Sequence, residues 1–148
     1  MAPTQICHIM QDAINAVKSL AYKKFIDIDM ECPNEQAIIF ANEKYLFQVL
    51  LNLLSNSIKF TEPKGRVSIG VKPNTDFVEI YITDTGRGIP KEKIDSIFDA
   101  FVQAAEGDEG TGLGLKIVKE MCESMNIDIK LESEVGIGTT FRLFARRF

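Results

Sequence analysis

The stretch from Arg66 to Asp84, RVSIGVKPNTDFVEIYITD, alternates apolar and polar residues in two runs separated by PNTD. A period of two gives a strand with one wet and one buried face, and a turn cluster between two such runs gives an antiparallel hairpin. A lone hairpin is barely stable in water, so its apolar side must be covered by another part of the chain. The segment just before it offers that cover. Leu46, Val49, Leu50, Leu53, Leu54, Ser57 and Ile58 recur at helical spacing between Glu43 and about Lys59, which makes one broad face of a long helix apolar. Asn42 stands where it can cap that helix.

The rest of the chain repeats these two themes. IDIKLESE and TTFRLFARRF, joined by VGIG, read as a second hairpin, and KFIDIDMEC and QAIIFA as further strands. Ile6, Ile9, Met10, Ala13, Ile14 and Val17 mark a helix over about residues 5–22. Pro90 suits the first turn of a helix KEKIDSIFDAF, and a last helix is expected from Leu113 to about Met125. Strands interleaved with helices, hairpins, and no repeat or low-complexity linker predict an α/β two-layer sandwich. About three helices would cover one face of a mixed, mostly antiparallel five-stranded sheet.

A chain of 148 residues is read as one domain over 1–148, large enough to bury a core without staples. Its net charge of −4, with basic residues dispersed apart from Arg146 and Arg147, argues against nucleic acid as a partner. Cys7, Cys32 and Cys122 are odd in number, far apart and without C-x-x-C spacing, and His8 is the only histidine. That pattern argues against a zinc site and points to a reducing, cytoplasmic setting. No run of 18 apolar residues is present, and MAPTQ lacks the regions of a signal peptide. Met1-Ala2-Pro3 is compatible with a domain excised from a longer protein.

Three places could carry chemistry. Asn52, Asn56 and Lys59 fall at i, i+4 and i+7, opposite the apolar stripe of the long helix. The plain explanation is a solvated face, yet asparagine sits poorly inside helices, an amide oxygen suits Mg²⁺, and a lysine one turn on could reach a phosphate. Asp84 ends a strand and is followed by Gly86 and Gly88. That is either an Asx turn or a carboxylate that accepts a hydrogen bond from an exocyclic amine, adenine's rather than guanine's, with glycines letting a flat ring approach. Gly110, Gly112 and Gly114 lead directly into a helical pattern, so free N–H groups and a positive helix end could face phosphate. This loop is neither the G-x-x-x-x-G-K-[ST] nor the G-x-G-x-x-G arrangement, because Leu115 follows Gly114 and Lys116 comes one place later.

Each piece alone is weak; their order is specific. N-x-x-x-N-x-x-K at 52–59, D-x-G-x-G at 84–88, F-x-x-F at 98–101 and G-T-G-L-G-L at 110–115 occur in sequence, and GIGTTF follows near the end. Over essentially its whole length the chain resembles the catalytic, ATP-binding domain of sensor histidine kinases. That domain has a Bergerat-type fold shared with gyrase B-type topoisomerases, mismatch-repair ATPases and heat-shock chaperones. The resemblance implies ATP and Mg²⁺ as ligands, with Asn56 as metal ligand, Lys59 on the phosphates and Asn52 supporting that shell. It implies Asp84 on the adenine amine with Gly86, Gly88 and Ile89 beside the ring, and Thr139 or its neighbour Thr140 assisting the carboxylate through water. Gly110, Thr111, Gly112, Leu113, Gly114 and Leu115 would form the lid hinge and phosphate-facing helix start, and Phe98 and Phe101 would pack the lid base. Superfamily members that hydrolyse ATP carry a glutamate where this chain has Asn52, an amide that cannot act as a base. That difference favours transfer to a histidine, whose neutral ring already has a free lone pair.

The phosphoacceptor motif of such kinases, H-[ED]-x-R-x-P, is not here. His8 lies in ICHIMQDAI, with no acid next to it, and is expected to rim the first helix. The dimerisation and phosphoacceptor domain is therefore expected elsewhere, with a response regulator downstream, a monomeric isolated domain and a homodimeric parent that could be membrane-anchored. The stretch 101–110 is short for a lid, carries Glu106, Asp108 and Glu109, and has no lysine or arginine. That keeps open a nucleotide-sensing module without transfer, and a serine kinase of the anti-sigma type.

Overall fold

The computed structural model of the chain describes residues 1–33, 37–98 and 114–148. Their elements in order are β1 (Ala2–Gln5), α1 (Ile6–Lys23), β2 (Asp27–Glu31), β3 (Ile38–Ala41), α2 (Glu43–Phe60), β4 (Arg66–Pro73), β5 (Phe77–Asp84), α3 (Lys91–Ile94), α4 (Gly114–Ser124), β6 (Asp128–Glu134) and β7 (Gly138–Arg146). Five strands form a mixed sheet in the order β2-β4-β5-β7-β6, where only the β2–β4 pair is parallel. The α/β two-layer reading agrees with this architecture.

The two hairpins form as their alternation demands. On β5, Val78, Ile80 and Ile82 point into the core beside Val67, Ile69 and Val71 of β4 and Phe141, Leu143 and Ala145 of β7. The other face is polar, and Arg142 there bridges Glu79 at 2.9 Å and Glu132 at 2.7 Å. The stripe of α2 from Leu46 to Ile58 is buried throughout, and α1 and α4 pack against α2 on either side. Asn42 caps α2 through its side chain, which accepts from the Tyr45 N–H at 3.1 Å. No helix among the described residues is long and apolar enough to cross a membrane.

The structure corrects the sequence reading in three places. MAPTQ supplies strand β1, which pairs antiparallel with β3 in a separate two-stranded sheet, so QAIIFA stands outside the main sheet. Of the helix KEKIDSIFDAF expected after Pro90, the described part is helical from Lys91 to Ile94 and turns thereafter up to Phe98. Beyond it the Ser96 and Ile97 N–H groups bond three residues back, to Lys93 and Ile94, and the Ser96 hydroxyl also donates to the Lys93 carbonyl. Such local bonds compete with the α-helical ladder and convert it to turns. The cysteines, expected to be reduced, are also corrected, since the fold brings Cys7 at the start of α1 against Cys32 after β2. Their Cα atoms are 6.1 Å apart and they form a disulfide. The last helix ends as expected, with α4 running to Ser124 and Asn126 in the left-handed region at φ 56°.

Candidate functional site

The site grows from the end of β5. Asp84 is the last residue of a buried strand, only 4% exposed, and pairs in register with Thr139 of β7. Its Oδ1 accepts from the Gly86 N–H at 2.8 Å and from the Thr139 N–H at 3.2 Å. Among the described residues, no hydrogen bond of good geometry reaches Oδ2. Burial pushes the carboxyl above its usual range, while the Gly86 N–H, the Ser57 hydroxyl and the Thr139 N–H pull it partly back. A buried carboxylate with one oxygen anchored and the other open can accept a hydrogen bond from a ligand amine.

The loop after Asp84 is pinned from both sides. The Arg87 N–H donates to the Phe60 carbonyl at the end of α2 at 3.2 Å, and the Gly136 N–H donates to the Arg87 carbonyl at 2.9 Å. Next to it the Ile89 N–H donates to the Ser133 hydroxyl at 2.7 Å. Gly88 has φ +77°, and a Cβ there would overlap the Glu134 carbonyl oxygen, so glycine is required for this approach. Gly138 closes the same corner from the other side, since a Cβ on it would overlap the Asp84 carbonyl oxygen.

Along α2, Asn52, Asn56 and Lys59 line up as their spacing dictates, but the face they form is half-buried and not a solvated one. The Asn52 carbonyl oxygen accepts from the Gln48 side chain at 2.9 Å, which leaves the Asn52 amino group as the donor it can offer. Lys59 Nζ lies 5.6 Å from the Phe60 ring centre, and the Arg87 guanidinium stands 4.7 Å from the same ring, so two cations gather where α2 meets the Asp84 loop. Among the described residues Asn56 shows no bonded partner for its amide oxygen, and no group of three His, Cys, Asp or Glu side chains among them could cage a metal. Such a donor set fits a hard divalent ion held by one amide together with a ligand's own phosphates.

Thr139 serves Asp84 directly through its main-chain N–H, while its hydroxyl pairs with Ser133 at 2.8 Å. Thr140, the competing choice, pairs with Thr83 at 2.9 Å on the outer sheet face. Gly114 starts α4, packed against α2, and the Leu115 side chain is buried in the core, so Leu115 contributes to the site only through its main chain. Phe98 sits edge-on against Phe141 with ring centres 6.3 Å apart. Phe101, Gly110, Thr111, Gly112 and Leu113, with the acidic stretch before them, lie outside the described residues. Sequence reasoning passed over Gln48, Arg87 and Ser57. For Ser57 the available signal was a hydroxyl inside an otherwise aliphatic stripe.

Residues 41–147 match the family described as histidine kinase-, DNA gyrase B-, and HSP90-like ATPase. The chain is 36% identical over 146 residues to hybrid signal transduction histidine kinase B of Dictyostelium discoideum; the match takes in 92% of this chain and 7% of that protein's length. Its structure is similar to the nucleotide-free catalytic domain of histidine kinase ThkA, with a TM-score of 0.86 and 26% identity over 99% of this chain and 97% of that one. It is also similar to full-length ShkA in complex with AMPPNP, with a TM-score of 0.86 and 31% identity over 97% of this chain and 30% of that one.

Proposed function

The chain belongs to the histidine kinase-, DNA gyrase B- and HSP90-like ATPase family, and we propose that it is the ATP-binding catalytic domain of a sensor histidine kinase. In this reading it passes the γ-phosphoryl group of ATP to a histidine on a separate helical domain. The observation that carries the proposal is Asp84, buried at the end of β5 with Oδ1 held by two main-chain donors and Oδ2 open. The open oxygen accepts from the 6-amino group of adenine and meets only repulsion from the O6 of guanine.

From that anchor the phosphates run toward the Lys59 and Arg87 cations and the start of α4. Lys59 offsets their charge at the end of α2, and the free N–H groups at the N-terminus of α4 add the positive end of a helix dipole. Asn56 would hold a magnesium ion together with the phosphate oxygens, and the ion would supply charge neutralisation there. The Asn52 amino group donates to a phosphate oxygen and, being an amide, takes no proton. The nucleophile is therefore one that needs no base: a neutral imidazole nitrogen attacks the γ-phosphorus in line as the bond to the leaving ADP oxygen breaks. The phosphohistidine then passes its phosphoryl group to a response regulator, and the parent protein is a homodimer through its helical domain.

Two measurements test this. Calorimetry with magnesium should give ATP and ADP binding with GTP at least tenfold weaker. Incubation with ATP and a histidine-bearing helical domain should label that domain in an acid-labile form. Nucleotide binding with no labelling would leave a sensing module, and an acid-stable product would mean a serine kinase.

A further inference from the structure

Ser57 lies on the core face of α2, one place after Asn56, and is 1% exposed. Every other buried residue of that stripe is Leu, Val or Ile. Its hydroxyl is the one buried side-chain polar atom among the described residues that closes no hydrogen bond of good geometry. An orphaned buried hydroxyl is destabilising, and an aliphatic or alanine side chain would avoid that loss. The group it faces is Asp84, 4% exposed, whose carboxylate the hydroxyl helps to hold down against the upward push of burial. No charged side chain on α2, on the loop after Asp84 or on β7 contributes to that balance; its only other parts are the Gly86 and Thr139 N–H groups.

The placement is asymmetric in a useful way. Gly86 and Thr139 both bond Oδ1, from the loop and from β7. Ser57 approaches from the helix side. It is too deeply covered to touch a ligand itself, so anything it does for recognition passes through Asp84. We propose that Ser57 is a positioning residue for adenine recognition, its hydroxyl bracing the Asp84 carboxylate from beneath so that Oδ2 stays turned toward the 6-amino group. This rests on the reading of Asp84 as the adenine acceptor and adds to it the residue that sets the acceptor's orientation. It also gives the orphaned hydroxyl its partner: when Asp84 engages the ring, the braced carboxylate closes a short bond to Ser57.

The test compares ATP with the triphosphate of purine riboside, which lacks the 6-amino group, on the native chain and on Ser57→Ala and Ser57→Thr. Binding is measured with magnesium present from about pH 5 to 8. For the native chain ATP binds more tightly than the amine-free analogue. Ser57→Ala should weaken ATP roughly three- to tenfold, the worth of one neutral hydrogen bond, and leave the analogue unchanged. The acid fall-off of ATP affinity should move to higher pH in Ser57→Ala, because the carboxylate loses a donor that favours its charged form. Ser57→Thr, which keeps the hydroxyl, should restore the preference for ATP. Equal weakening of both nucleotides would assign Ser57 to packing alone and overturn the inference, as would an unchanged ATP affinity and pH profile. If the native chain binds neither nucleotide, the adenine reading itself falls, an outcome distinct from native-like discrimination in Ser57→Ala.

Discussion

Asp84→Asn separates a binding role from a structural one because it moves the two in opposite directions. The amide keeps an oxygen for the Gly86 and Thr139 N–H groups, which bond Oδ1 at 2.8 and 3.2 Å. Its NH₂ then occupies the place of Oδ2, where a donor meets the 6-amino donor of adenine. The loss is a hydrogen bond to a charged group, about 1.5–3 kcal/mol, so ADP should bind roughly ten- to a hundredfold more weakly by calorimetry. Stability goes the other way. Burial raises the folded-state pKa of Asp84 above its unfolded value, so the folded chain holds its proton to higher pH than the unfolded chain does. The contribution is present below the unfolded pKa of about 4, is lost as pH rises toward the folded pKa, and stays lost at neutral pH. Asparagine has no such loss. In thermal melts from pH 4 to 7 the difference, variant minus native, should therefore grow with pH and end at zero or above. A variant that binds ADP like the native chain and melts well below it at pH 7 would make Asp84 a turn residue and refute both halves of the reasoning.

Three further outcomes are expected. Asn56→Ala should remove the magnesium dependence of ATP binding, read by calorimetry with and without the metal, while leaving the fold intact because Asn56 lies off the core face. Gly138→Ala places a Cβ against the main chain of Asp84 and 3.3 Å from the Thr85 Cα at φ +150°. It should lower stability by about 1–3 kcal/mol in urea titrations and weaken ADP binding, since Asp84 must move. Reducing the Cys7–Cys32 disulfide opens a loop with a sequence separation of 25, for which chain entropy predicts a loss of about 3 kcal/mol. Urea midpoints with and without reductant read it. Cys122, buried with its thiol pushed up to about 12, should stay inert to labelling in the folded chain in both states.

What the sequence made legible was whatever a local period can encode. The strands β4 and β5 and the stripe of α2 are each self-contained patterns, and each folds as its period requires. Asp84 was legible for a related reason: a carboxylate at the buried end of a strand, next to two glycines, is a local anomaly. What stayed hidden depends on partners distant in the chain. β1 is four residues with a proline, and it becomes a strand only because β3 offers an antiparallel edge at 38–41. The Cys7–Cys32 pair exists because α1 folds back along β2, a tertiary event that cysteine spacing does not encode. Ser57 sat in plain view within the apolar stripe, but its importance lies in facing Asp84, 27 positions later in the sequence. Helix α3 is shorter than its helical composition suggests, and the Ser96 back-bond with the burial of Ile97 marks where its described part turns.

In the proposed reading, the same geometry favours transfer over hydrolysis. To attack phosphorus, water must give up a proton to a base, which in that reading would stand one helical turn before Asn56. That place is Asn52, and its only basic atom, the carbonyl oxygen, is already taken by the Gln48 amide at 2.9 Å. A glutamate in place of Asn52 would still meet the Gln48 amide, a donor that favours the charged carboxylate and lowers its affinity for the proton. The single histidine, His8, is exposed on α1, a helix that meets the sheet at β2 and β4. In that reading Asn52 and Lys59, the described side chains of α2 flanking Asn56, anchor and neutralise but supply no base. A nucleophile that reacts there must bring its own lone pair at neutral pH, and an imidazole from another domain meets that requirement where a water molecule does not.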